Sequence, residues 1–275
     1  MIQRAPKRRR PGRRLKQGRA PVALLLPSLV GLAFLVLPVI GLLVRTPWSQ
    51  LTADIAATDT WTALRLSLEC ATAATGFSIV LGVPLAWLLA RTDMPGRGVA
   101  RSLVAVPLVL PPVVGGMALL LVFGRNGILG IYLDRWFGIT LPFTTQGVIM
   151  AETFVALPFL VISVETALHA LDPSLEEAAA TSGAGRWQTF RWITLPNLLP
   201  AIGAGAVLSW ARALGEFGAT ITFAGDFPGT TQTMPLAVYL AFQDDPQSAI
   251  VLSLVLLAVS IALLALLRDR LFTRV

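Results

Sequence analysis

Charged side chains within apolar stretches are the first candidates for chemistry in this sequence. Arg212 and Glu216 lie four residues apart in one apolar run, and Glu152 and Glu165 lie in another. Residues four apart share a face of a helix, so Arg212 and Glu216 are predicted to form an ion pair. Charges at membrane depth are costly and are often functional. The first run therefore carries either a structural ion pair or part of a functional site.

A second candidate is the polar, amphipathic segment Leu168–Arg191. Its centre reads Glu177-Ala178-Ala179, an acid followed by small side chains. Asp172 or Ser174 can cap a helix over Leu175–Ser182, with acids in its first turn as the helix dipole favours. The alanines would allow close packing, and the acid would allow a charged contact with a partner. The alternative interpretation is an ordinary, well-capped surface loop.

The end of this segment is also marked. Gly183 is predicted to end the first helix, since glycine is favoured just past a helix C-terminus. A second short helix is predicted over Trp187–Ile193, with Leu195-Pro196 turning the chain back into the membrane. The whole segment would then be a helix–turn–helix knob between two apolar runs.

The rest of the chain must position these residues, and its composition indicates how. Of 275 residues, 55% are hydrophobic and 13% are charged, whereas soluble domains carry about a quarter charged residues. A bilayer core needs about 20 apolar residues in a helix. Six runs meet that length: Ala20–Val44, Cys70–Ala90, Ser102–Gly124, Phe143–Ala167, Leu195–Gly225 and Pro246–Leu267. The sequence therefore predicts an all-α integral membrane protein with about six transmembrane helices.

Basic residues predict the orientation of these spans. Nine of the 22 Lys and Arg residues lie in the first nineteen positions. If the amino terminus is cytoplasmic, the inside loops hold most of the remaining basic residues, as the positive-inside rule requires. Both termini are then cytoplasmic. The first apolar run is longer than a typical signal-peptide core of about 7–15 residues, so a retained anchor is predicted.

Several functions are excluded or disfavoured by residue counts. Cys70 is the only cysteine and His169 the only histidine, which excludes an internal disulfide and metal sites built on cysteine or histidine pairs. The only lysines, Lys7 and Lys16, lie in the amino-terminal tail, so the chain lacks a phosphate-binding loop and cannot hydrolyse ATP itself. The basic tail is followed by no nucleic-acid-binding motif, and no nucleic-acid partner is expected.

The residues Glu177-Ala178-Ala179…Gly183…Ile193…Leu195-Pro196 resemble the coupling loop of bacterial ATP-binding-cassette (ABC) importer permeases. The resemblance implies the transmembrane domain of a type I ABC importer, whose loop seats in a cleft of a separate ATPase subunit. The residues implied in that contact are Glu177, Ala178, Ala179, Gly183, Ala184, Arg186, Phe190, Ile193, Leu195 and Pro196.

The segments Ala211–Thr220 and Pro228–Tyr239 are similar to the oxyanion branch of that family, and most similar to molybdate permeases. A tetrahedral oxyanion, molybdate above all, is the cargo that the resemblance implies. Arg212 would then hold or guide the anion, with Glu216 tuning it, unless the two only pair with each other. Residues that could offer hydroxyls to the anion, or bond to their own helix instead, are Ser209, Thr220 and Thr222.

The resemblance also implies an assembly. Its members are an ATPase dimer that uses ATP and Mg, a second copy of the permease, an extracytoplasmic oxyanion-binding protein and the lipid of a bacterial plasma membrane. This chain itself would bind no cofactor or metal and would not be an enzyme. The predicted organisation is a basic tail (1–19), an anchor helix (20–45), a permease domain (62–268) with a coupling loop (169–196), and a cytoplasmic C-terminus (269–275).

Three alternatives remain open. The first is a sulfate, thiosulfate or tungstate permease, which would share the same loop. The resemblance implies two copies of one permease in the molybdate branch and usually two different permeases in the sulfate branch. A secondary transporter driven by an ion gradient would not need that loop. A membrane enzyme is disfavoured, because no nucleophile–base constellation is found in the sequence.

Overall fold

The computed structural model describes residues 22–49, 51–56 and 58–272, and no β-strand occurs among them. The predicted all-helical architecture is thereby confirmed. Helix α1 (Val22–Arg45) belongs to a unit of its own, and the remaining helices form a second unit that begins at Thr46. The basic tail and the last three residues lie outside the described residues.

The helices of the second unit follow one another with short connections. They are α2 (Leu51–Ala56), α3 (Thr58–Arg91), α4 (Arg97–Val109), α5 (Pro112–Phe123), α6 (Gly130–Phe137), α7 (Thr145–Ala170), α8 (Pro173–Thr181), α9 (Arg186–Thr189), a π-helical turn (Phe190–Thr194), α10 (Leu195–Leu214), α11 (Gly218–Ala224), α12 (Met234–Asp244) and α13 (Pro246–Phe272).

Helices α3, α7 and α10 form the centre of this unit. Leu89, Leu160 and Leu198, one from each helix, are buried in a shared apolar cluster. Glycine allows the close approach: a Cβ at Gly205 of α10 would lie 3.0 Å from the Cβ of Ser163 in α7. Small residues at such contacts are typical of helices that pack in membranes.

Five helices of the described chain are long and apolar enough to cross a membrane, and the bent pair α4–α5 would make six. This agrees with the expected number. The expected run Ser102–Gly124, however, is not one straight helix, because the helical path bends by 119° between α4 and α5. The cause is Pro111-Pro112. Proline disfavours a helical conformation in the residue before it, and Leu110 and Pro111 are extended, with ψ values of 130° and 132°.

The expected span Leu195–Gly225 is also corrected. Its helix starts earlier, at Arg186, runs through the π-helical turn and ends at Leu214. The residues after Gly215 form the separate short helix α11. Phe217, with φ −132° and ψ −55°, lies outside the helical region and separates the two helices.

The two broken segments pack against each other. A Cβ at Gly116 of α5 would lie 2.7 Å from the carbonyl oxygen of Ala219 in α11. A Cβ at Gly218 would lie 2.8 Å from the Cβ of Pro112. Side chains would therefore separate α5 from α11, and the two helices depend on glycine for their contact.

Candidate functional site

Helix α8 is built by a cap at each end. The Asp172 carboxylate accepts the backbone N–H of Ser174 at 2.9 Å, and Pro173 occupies the first helical position. Asp172 is therefore the cap, and the helix begins two residues before the predicted Leu175. The same hydrogen bond stabilises the ionised carboxylate and lowers the pKa of Asp172 below its ordinary value.

Gly183 ends α8 as predicted. Its φ of +87° lies in the left-handed region, where L side chains are strained. The Gly183 N–H donates to the carbonyl of Ala180, and the Ala184 N–H donates to the carbonyl of Ala179, both at 3.0 Å. These two bonds form a Schellman motif, which satisfies carbonyls at the helix end.

The residues of the Glu177-Ala178-Ala179 sequence lie on a free surface. Glu177 and Ala178 are exposed, Ala179 is half-buried, and α8 buries none of its residues. Packing within this chain therefore does not explain Ala178, and it covers Ala179 only in part. The surface offers a carboxylate beside two methyl groups, a shape that suits close contact with a partner.

The neighbouring acid, Glu176, behaves differently. One carboxylate oxygen lies 2.9 Å from Nε of Arg91, the last residue of α3, and the other accepts the hydroxyl of Thr194 at 2.7 Å. Sequence reasoning missed this contact, because Arg91 is 85 residues away and nothing in the local pattern distinguishes Glu176 from Glu177. The acid-rich first turn was the only local signal.

Leu195-Pro196 does not form a turn, contrary to the sequence prediction. The helix is continuous from Arg186 to Leu214, and the predicted short helix Trp187–Ile193 is only its first part. The break between helices lies earlier, between Thr181 and Arg186, and contains Gly183. The wider π-helical turn precedes Pro196, with the Leu195 N–H donating to the carbonyl of Phe190. Inserted π turns of this kind are frequent at functional sites.

Three aromatic side chains contact one another where α9 and the π-helical turn approach α3. Phe190 stacks on Trp187, with ring centroids 5.7 Å apart, and meets the edge of Trp87 from α3 at 5.9 Å. Arg186 is exposed, whereas Ile193 and Leu195 are half-buried. A hollow of about 180 Å³ is lined in part by the rings of Trp87 and Phe190 and by Arg91 and Glu176.

The predicted pairing of Arg212 with Glu216 is confirmed. Arg212 Nη1 lies 2.6 Å from a Glu216 carboxylate oxygen, and the other oxygen accepts the Ala219 N–H at 2.7 Å. The carboxylate therefore both neutralises Arg212 and caps the start of α11. Glu216 is 1% exposed, while 29% of the Arg212 side chain is exposed.

The three hydroxyl residues differ in their surroundings. Ser209 is buried and donates to the Ala156 carbonyl of α7 at 3.0 Å. Thr222 donates to the Gly218 carbonyl of its own helix at 2.8 Å. Thr220 is fully buried, and its hydroxyl finds no partner among the described residues. Glu152 is also buried with one unpartnered oxygen, whereas Glu165 pairs with Arg101.

Metal coordination is not supported by the described part of the chain. No group of three or more His, Cys, Asp or Glu side chains there could hold a metal ion. The candidate site in the described residues thus consists of an exposed loop surface around Glu177 and an ion pair between Arg212 and the buried Glu216.

Comparison with known proteins places this architecture in a family. Residues 78–275 match the model of the binding-protein-dependent transport system inner membrane component. The chain belongs to this family of membrane-embedded transport subunits.

Individual relatives agree with that assignment. Over 237 residues the chain is 46% identical to "Molybdenum transport system permease protein ModB" of Mycobacterium bovis, covering 86% of this chain and 89% of the relative. It is 36% identical over 255 residues to "Sulfate transport system permease protein CysT" of Escherichia coli, covering 92% and 90%. Among solved structures, a bacterial alginate ABC transporter in complex with its pentasaccharide-bound periplasmic protein shares the fold, with a TM-score of 0.71 at 20% identity over 91% of this chain and 94% of that chain.

Proposed function

We propose that this chain is the membrane-spanning subunit of an ATP-driven importer for a tetrahedral oxyanion, and that molybdate is its cargo. The observation that carries the proposal is the exposed α8 surface on a chain that is 46% identical to a molybdenum permease. Sulfate is a candidate because the similarity to a sulfate permease extends over 92% of the chain. It is the second candidate because the identity is lower, at 36%.

Energetics supports an ATP-driven route. A dianion that enters a cell with a negative interior moves against the field, at about 2.3 kcal/mol per charge per 100 mV. Two charges therefore cost roughly 4.6 kcal/mol per 100 mV, before any concentration gradient. Because this chain carries no phosphate-binding loop, the energy must come from a partner ATPase that uses ATP and Mg.

The α8 surface is the proposed ATPase contact. Glu177 would make the charged contact, Ala178 and Ala179 would pack closely, and Gly183 would fix the shape of the helix end. The proposal extends to the other residues of the predicted coupling loop: Ala184, Arg186, Phe190, Ile193, Leu195 and Pro196. Exposure of Glu177 and Ala178 supports this role, since the chain itself does not use them.

The translocation pathway is proposed to include Arg212. An ion pair with Glu216 lowers the cost of burying the cation, and 29% of the Arg212 side chain is still exposed, which supports access of an anion to this residue. Thr220 supports the same region, because its buried hydroxyl is unpartnered in the described chain. Ser209 and Thr222 would act through helix packing, given their bonds to backbone carbonyls.

We further propose that both termini are cytoplasmic, with the sequence-predicted segments 1–19, 20–45, 62–268 and 269–275 as tail, anchor, permease domain and C-terminus. The assembly would contain two copies of this chain, two ATPase subunits and an extracytoplasmic oxyanion-binding protein in a bacterial plasma membrane. Single-cysteine labelling would test the topology. Cys70 is fully buried and gives low background, and cysteines introduced at Thr181 and Phe227 should react from opposite sides.

Uptake in reconstituted vesicles tests the function. The chain is reconstituted with an ABC-type ATPase and an oxyanion-binding protein from the same organism, and radiolabelled molybdate uptake is measured with and without ATP. Uptake should require ATP and should resist a tenfold excess of sulfate. Efficient competition by sulfate would assign the second candidate, and uptake that persists without ATP would refute an ATP-driven importer.

A further inference from the structure

Glu176 joins three elements that are distant in sequence. It lies in the first turn of α8, and its carboxylate contacts Arg91 at the end of α3 and Thr194 directly before α10. The side chains of Arg91 and Glu176 are 19% and 21% exposed, and Thr194 is 1% exposed. The contact is therefore largely shielded from water, where an ion pair and a hydrogen bond to a charged group are both stronger than on a surface. The Arg91 contact is an ion pair, because Arg91 Nε forms no hydrogen bond among the described residues, and the Thr194 contact is a hydrogen bond.

Helix α8 has little else to hold it in place. None of its residues is fully buried, and only Glu176 and Ala179 are half-buried, so apolar packing contributes little to its position on the membrane-spanning helices. Beneath it lies the hollow of about 180 Å³, lined in part by Trp87, Ala180 and Phe190. A helix above a hollow can tilt as a rigid body, and the Glu176 contacts then determine which helices follow it.

The two contacts lead to different spans. Arg91 ends α3, one turn after Trp87, whose ring meets Phe190. Thr194 ends the π-helical turn, directly before α10. A displacement of α8 would therefore pull on both α3 and α10, two of the three helices that form the centre of the unit.

We propose that Glu176 is a positioning residue that transmits movement of α8 to α3 and α10. This inference rests on the proposed function, because the movement is that imposed by the ATPase. Its role differs from that of Glu177: the exposed acid binds the ATPase, and the shielded acid beside it carries the resulting displacement into the membrane domain. Loss of Glu176 leaves assembly intact and separates ATP hydrolysis from transport.

The experiment compares Glu176→Gln with Glu177→Gln in the complete reconstituted complex. Three quantities are measured: the amount of ATPase that copurifies, the rate of ATP hydrolysis, and the number of anions transported per ATP. The Glu176→Gln chain should copurify with a normal amount of ATPase. It should lower the number of anions transported per ATP by about tenfold, a factor within the usual range for coupling between sites. Glu177→Gln should instead lower copurification.

A charge exchange separates transmission from general damage. Arg91→Glu alone should reduce transport per ATP, and combining it with Glu176→Arg should restore most of it, since the ion pair is rebuilt in reverse. Thr194→Val removes only the hydroxyl donor and should cause a smaller loss. If Glu176→Gln fails to fold, Thr194→Val becomes the test. An unchanged number of anions transported per ATP in Thr194→Val would then contradict the proposal.

The outcomes distinguish the two proposals. If the unaltered complex shows no ATP-dependent uptake, the proposed function is wrong. If it does, and Glu176→Gln transports as many anions per ATP as the unaltered complex, Glu176 does not transmit the movement. The assignment would also be overturned if Glu176→Gln lowers transport per ATP but the charge exchange does not restore it. The loss of transport per ATP would then not depend on the Arg91–Glu176 pair.

Discussion

The Arg212–Glu216 pair offers the sharpest test of how this chain tolerates charge in its interior. The single changes are Arg212→Met and Glu216→Gln, and the third variant combines them. Each single change leaves one member of the pair without its counter-charge, whereas the double change removes both charges. The amide group introduced by Glu216→Gln retains an oxygen that can accept the Ala219 N–H, so the cap of α11 is preserved.

The size of the effect follows from burial. Breaking a buried ion pair costs about 3–5 kcal/mol, and the lower value of about 3 applies because 29% of the Arg212 side chain is still exposed. For a chain of this size, about 3 kcal/mol corresponds to a melting temperature lower by roughly 6–12 °C. Because replacing both charges is often close to neutral, the double variant should lie within about 1 kcal/mol of the parent.

Thermal unfolding in detergent measures these shifts, and molybdate uptake is measured in parallel. The matched control is Arg65→Met with Glu69→Gln, a pair of the same spacing at 2.6 Å whose side chains are 80% and 57% exposed. It should leave the melting temperature unchanged. A double Arg212/Glu216 variant that loses about 6 kcal/mol, as simple addition requires, would refute the reasoning. A double variant that is stable and still transports would show that Arg212 has no role with the anion.

Three further outcomes are expected. Gly183→Ala should destabilise α8 by about 1–2 kcal/mol and weaken ATPase copurification without changing ion preference, because the left-handed φ strains alanine while no atom obstructs its Cβ. Gly116→Ala should destabilise the chain by about 1–3 kcal/mol through overlap with the Ala219 carbonyl, whereas Gly76→Ala, in open space on a helix, should be neutral or stabilising in the same unfolding assay. Folding lowers the pKa of Asp172, so the stability that its cap contributes is present above the unfolded pKa of about 3.9 and is lost as pH falls through the lower folded pKa. The α8 amides should therefore lose protection from hydrogen exchange in that pH range. Asp172→Asn should abolish this dependence of protection on pH.

The sequence was a good guide wherever the signal was local. The length and apolarity of the runs predicted the spans, and Gly183 predicted the end of α8, because each depends on neighbouring residues alone. The i,i+4 spacing likewise predicted the pairing of Arg212 with Glu216. The roles of these residues with the ATPase and the anion stay predictions, since they depend on molecules other than this chain.

The errors arose where backbone geometry overrides apolarity. Hydrophobicity does not register Pro111-Pro112 as a break, because proline is compatible with an apolar run until its effect on Leu110 is considered. At Pro196 the error was the reverse, because the sequence predicted a break that the structure lacks. The preceding π-helical turn accommodates Pro196 within a continuous helix. The contact between Glu176 and Arg91 could not be predicted, because it depends on tertiary placement across 85 residues.

The glycine contact between α5 and α11 has a consequence for the biogenesis of the chain. At 1.5 Å per residue, the twelve residues of α5 are roughly 18 Å long and the seven of α11 roughly 10 Å, both shorter than a hydrocarbon core of about 30 Å. Neither segment can be accepted by the bilayer as an independent span. Because Gly116 and Gly218 are 102 residues apart, α5 emerges from the ribosome long before the helix that covers it. The α4–α5 pair together is long and apolar enough to cross a membrane, but the packing of α5 against α11 can form only after α11 has been synthesised.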